Sequence, residues 1–120
     1  MKFVTAFFKF TPIFLLLSCG DYTNNKMIIG NWQGTEWLVN GLPIEDGANT
    51  SFSFTEKGDY TFTNSGNVEK GTYKVENDML FTTPANEQEI MVKITRLTKD
   101  SLVFYMNRSG RPESLTLIKK

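Results

Sequence analysis

The chain has 120 residues, enough for one small domain, with 13 basic and 13 acidic side chains, a single cysteine and no histidine. This inventory excludes an intramolecular disulfide, histidine acid–base catalysis and the commonest metal ligand. The even charge balance also excludes a nucleic-acid footprint, which needs clustered Lys and Arg.

The first element is an export segment. Lys2 and Lys9 give a basic start, an apolar run follows from Phe10 to Leu17, and the run ends in Leu16-Leu17-Ser18-Cys19. That is the grammar of a bacterial lipoprotein signal, with cleavage before Cys19 freeing its thiol for a diacylglycerol. The run is too short for a membrane span of about 20 residues. Residues 1–18 are therefore expected to be removed, leaving a chain with 11 basic and 13 acidic residues. Lipidated Cys19 would hold it at the cell envelope, with the outer membrane as the expected site, because several acyl chains make a stable anchor. Residues 19–26 read as a polar tether; at about 3.3 Å per residue it reaches only about 20–25 Å, so the domain rides close to the bilayer.

From residue 27 to 120 the chain reads as one all-β domain. Apolar and polar residues alternate in eight bursts, at roughly 31–39, 50–56, 59–64, 69–76, 79–83, 88–96, 101–107 and 113–119. Lys57-Gly58, Asn77-Asp78 and Lys99-Asp100 separate them and suit hairpin turns with positive φ. Period two places Phe52 and Phe54, Tyr60 and Phe62, Tyr73 and Val75, Ile90 to Ile94, Leu102 to Met106, and Leu115 with Leu117 on inward faces. Ser51, Ser53, Thr61, Thr63, Lys74, Lys93 and Thr116 then face water. Eight such strands lose their exposed edges by closing into a barrel; a two-sheet sandwich is the competing arrangement.

Gly30-Asn31-Trp32, preceded by Met27-Ile28-Ile29, resembles the Gly-x-Trp opening of lipocalin-type barrels. With the signal segment, the eight bursts and Gly58-Asp59-Tyr60, the mature chain is similar to the small lipocalin-like lipoproteins of Bacteroidota envelopes. The resemblance implies a small eight-stranded antiparallel up-and-down barrel with a short N-terminal helical turn. It makes Gly30 a close-approach glycine and Trp32 the floor of the interior. The family sets an Arg against this Trp from the far end of the chain; here Lys119 stands in the last burst and Arg111 before it.

The inward residues define the expected ligand site: Trp32, Tyr60, Phe62, Tyr73 and Phe104. A barrel of this size is either filled by side chains or holds one small ligand. Strand one breaks parity, because counting by two from Trp32 puts Glu36 inside and Trp37 outside. A bulge at Gly34 resets the count; without it, Glu36 is a ligand-orienting charge. Outward-pointing Met91, Val103, Tyr105, Ile118 and Trp37 form a partner surface unless Met27-Ile28-Ile29 folds back over them. Glu45-Asp46 and Glu87 with Glu89 read as solvated carboxylates, and Asp100-Ser101-Leu102 resembles a Bacteroidota O-glycosylation acceptor.

No cofactor, metal site or catalytic residue is expected, and nucleic acid is excluded as a partner. Two functions compete. One is a lipid-anchored carrier of a small apolar or amphipathic ligand; the other is an envelope interaction protein, inhibitor or structural subunit with a filled barrel.

Overall fold

The computed structural model describes residues 25–120. The signal segment, Cys19 and the tether up to residue 24 lie outside the described residues. Residues 25–27 form a helical turn, so Asn25 and Lys26, assigned above to the tether, belong to it.

The strands are β1 (Gly30–Val39), β2 (Leu42–Pro43), β3 (Thr50–Phe54), β4 (Asp59–Asn64), β5 (Asn67–Glu76), β6 (Met79–Pro84), β7 (Ile90–Leu97), β8 (Ser101–Arg108) and β9 (Arg111–Lys119). Each pairs antiparallel with its neighbour, and β1 also pairs with β9 from Trp32↔Lys119 to Val39↔Glu113. Eight strands thus close an up-and-down barrel, and the sandwich is excluded. The two-residue β2 only extends the far half of β1. It and the 3-10 segment Glu45–Asn49 were not foreseen, because residues 40–49 carry no alternation.

Two-residue turns set the register. Asn40-Gly41, Ser65-Gly66 and Ser109-Gly110 each place both residues at positive φ, between 49° and 89°, the conformation that matches the twist of the flanking strands. Gly58 and Asn77 adopt positive φ as expected, whereas Lys99-Asp100 does not. There the Thr98 hydroxyl accepts from the Asp100 and Ser101 amides at 3.2 and 2.9 Å, so the side chain makes the turn.

The parity conflict in β1 is resolved by a bulge between Gly34 and Glu36. Gly34 is required there. A Cβ on it would stand 2.4 Å from the Gly47 carbonyl oxygen, where the 3-10 segment crosses the strand. Past the bulge Trp37 turns inward and Glu36 is exposed. A second bulge between Ile94 and Arg96 likewise brings Leu97 back to the core.

Ile28, Trp32, Phe54, Tyr60, Val75, Leu80, Val92, Ile94, Leu102, Phe104, Leu115 and Leu117 are buried together. Each large apolar side chain contributes about 1.5–3 kcal/mol on burial, and with no cysteine beyond Cys19 this packing carries the stability. Trp32 closes one end of the barrel. It is fully buried, and its indole N–H donates to the Ile28 carbonyl at 2.8 Å. The Lys119 ammonium lies 4.5 Å from its ring centroid and donates to the carbonyls of Ile29 and Met27 at 2.9 and 3.4 Å. Lys119, not Arg111, takes the cation's place. Gly30, at φ 134°, lets its stem pass, since a Cβ there would meet Lys119 Cε at 2.6 Å.

Candidate functional site

The opposite end is open, and its chemistry comes from the ends of the inward series. Counting back from Val75 and Tyr73 on β5 leads to Glu69. Counting on from Phe104 and Met106 on β8 leads to Arg108, and back from Leu117 and Leu115 on β9 to Glu113. Glu113 is only 8% exposed. One of its oxygens accepts the Trp37 indole N–H at 3.1 Å, and the other lies 3.6 Å from Arg108 Nε. Glu69 accepts the Tyr60 hydroxyl at 2.6 Å. β5 and β9 are four places apart in a ring of eight, so the two carboxylates stand on opposite walls.

Beneath these groups is a cavity of about 140 Å³. Its walls are Trp37, Phe52, Phe62, Leu80, Val92, Phe104, Met106 and Leu115, with Tyr60, Thr82, Glu69, Glu113, Ser114 and Arg108 as the polar lining. Phe52 organises the aromatic side, with ring centroids 4.6 Å from Phe62 and 5.4 Å from Phe104 in an edge-on contact. The interior is thus neither filled nor large. An apolar cavity of about 150 Å³ binds benzene, which sets the size of what fits here.

These observations have a family equivalent. The lipocalin-like domain family matches residues 28–104, well over half of the chain. The chain belongs to that family. Two solved structures share the lipocalin-like fold. A lipocalin-like protein from Bacteroides uniformis ATCC 8492 is 14% identical, with a TM-score of 0.58 over 78% of this chain and 98% of its own. An uncharacterized protein from Bacteroides eggerthii DSM 20697 is 16% identical, with a TM-score of 0.57 over 77% of this chain and 98% of its own. At such identities the likeness establishes the fold alone. No curated protein matches the chain.

Of the residues expected at a lipocalin-like ligand site, Tyr60, Phe62 and Phe104 line the cavity. Trp32 lies below it as the closed end. Tyr73 is displaced toward that end, packed edge-on against Phe54 with its hydroxyl donating to the Thr55 carbonyl at 2.6 Å. Glu36 is on the outer wall, because the bulge shifts it there. Trp37 belongs to the cavity and not to a partner surface, for the same reason.

None of the remaining outward residues stands directly opposite another across the strands. Met91, Tyr105 and Ile118 are exposed and Val103 is half-buried. Their cross-strand partners include Lys93 beside Tyr105, Thr116 beside Val103 and Ser101 beside Ile118, while Met91 opposes Phe81. Met27-Ile28-Ile29 caps the closed end and does not fold over this wall. Ser101 opens β8 at the β7–β8 turn. Glu69, Thr82, Arg108 and Glu113 were not singled out from sequence, although extending the period-two count would have reached the three charged ones. Among the described residues no three metal-ligating side chains cluster.

Burial, followed by the hydrogen bond to and charge of Glu69, pushes the Tyr60 phenol well above its ordinary value of 10.0. Burial and then Asp59 raise Tyr73 as well. A folded-state value above the unfolded one stabilises fully below the unfolded value and is lost as pH rises past it. The barrel is therefore expected to lose stability progressively above about pH 10. Urea titrations across pH 8–11 should show a shallower alkaline loss in Tyr60→Phe than in the wild type.

Proposed function

We propose that this chain is a non-catalytic binding protein that takes up a small molecule in the open-end cavity and is held at the cell envelope by lipid on Cys19. The cavity carries the reading. At about 140 Å³ it accommodates one ring or a short branched chain, not a long lipid. Mostly apolar walls with a few convergent polar groups are the usual make-up of a small-molecule site. The open cavity supports a carrier over an interaction subunit with a side-chain-filled barrel. The signal segment ending at Cys19 supports the anchor.

Titration of the full-length chain with benzyl alcohol tests the binding reading. Trp37 lines the cavity while Trp32 is sealed below it, so a saturable change in tryptophan emission is expected. That change should disappear in Trp37→Phe. A linear, unsaturable response, or one that persists in Trp37→Phe, would exclude a ligand at this site.

A further inference from the structure

We infer that the ligand is a small organic ammonium ion; this rests on the binding reading above and names its ligand class. The first reason is the wall. Trp37, Phe52, Tyr60, Phe62 and Phe104 surround the cavity, and aromatic faces attract a cation through their negative quadrupole, most strongly where water is excluded. The second is charge. Glu69 and Glu113 approach from opposite walls, and among the described residues lining the cavity Arg108 is the only cation.

Arg108 is already committed to Glu113, and its side chain is 62% exposed. An anionic ligand would have to compete for that one guanidinium while facing Glu69. A cation meets no such conflict. Glu69, in the cavity lining, uses one oxygen for the Tyr60 hydroxyl and keeps acceptor capacity on the other. In the surroundings acidic groups outnumber the two basic ones, Lys70 and Arg111. Glu45 and Asp46 of the 3-10 segment and Glu87 and Glu89 of the β6–β7 connection stand at the same end, a distribution that draws cations toward the opening.

Size is the third reason. A trimethylammonium group is about as large as benzene, so the cavity holds it whole while any tail leaves through the mouth.

The test compares three titrants on the full-length chain by calorimetry: choline, its uncharged isostere 3,3-dimethyl-1-butanol, and hexanoate. Choline is expected to bind about tenfold or more tightly than the neutral isostere, the margin a desolvated cation–π contact supplies. Glu69→Gln, which keeps an acceptor for Tyr60, should weaken choline while leaving the isostere unchanged. Equal binding of choline and isostere, or preference for hexanoate, overturns the ammonium assignment and leaves the binding reading intact. If none of the three binds and benzyl alcohol also fails, both fall. Should Glu69→Gln not fold, the wild-type comparison of choline with its isostere decides alone.

Discussion

Trp32→Ala is expected to destabilise the barrel by about 3–5 kcal/mol, the range for removing a large aromatic from a core that cannot collapse around the void. The site has little freedom to collapse. Trp32 is fully buried, pairs across to Phe52 on one side and Lys119 on the other, and donates its N–H to Ile28. Alanine would leave the Ile28 carbonyl without that donor and the Lys119 ammonium above an empty space. For a domain of this size each kcal/mol shifts Tm by about 4–8 °C, so the midpoint should fall by well over 10 °C. Trp32→Phe should recover part of the loss by filling the volume without the hydrogen bond. A change below about 1 kcal/mol would contradict a buried plug, since surface substitutions stay within that range.

Cys19→Ala should abolish acylation and leave the barrel folded, because the thiol precedes the helical turn and Trp32 by several residues. Cells fed labelled palmitate should yield a labelled wild-type chain in the membrane fraction. The variant should be unlabelled and released from membranes. Retention of label, or of the variant in membranes after carbonate extraction, would count against the thioether anchor. Circular dichroism of the released chain should match that of the wild type.

The barrel was legible because alternation is a direct image of a sheet with one wet face. Phe52 and Phe54, Leu102 and Phe104, and Leu115 and Leu117 each mark an inward wall, and all are buried or packed on the core. Trp32 was legible from Gly-x-Trp, and its cation from Lys119. Strand one was legible only as two alternatives, because Gly34 fits either an unbroken strand or a bulge. What decided it is the contact with Gly47, thirteen residues away and invisible to local periodicity. The mouth was missed for a different reason. Glu69 and Glu113 open the expected bursts 69–76 and 113–119 and Arg108 lies one residue past 101–107, but charge marks all three as solvent-facing until closure of the barrel is known. Arg108 is reached because the tight turn at Ser109-Gly110 lets β8 and β9 pair right up to the hairpin.

The chain joins the barrel at the end sealed by Trp32, and this fixes a polarity. Were Cys19 acylated as proposed, only a few residues upstream, the sealed base would be held toward the headgroups and the opening would point away from them. Uptake would then draw on dissolved solute arriving from the aqueous side, and extraction of a molecule out of the adjoining leaflet would require the whole cylinder to tip over on its leash.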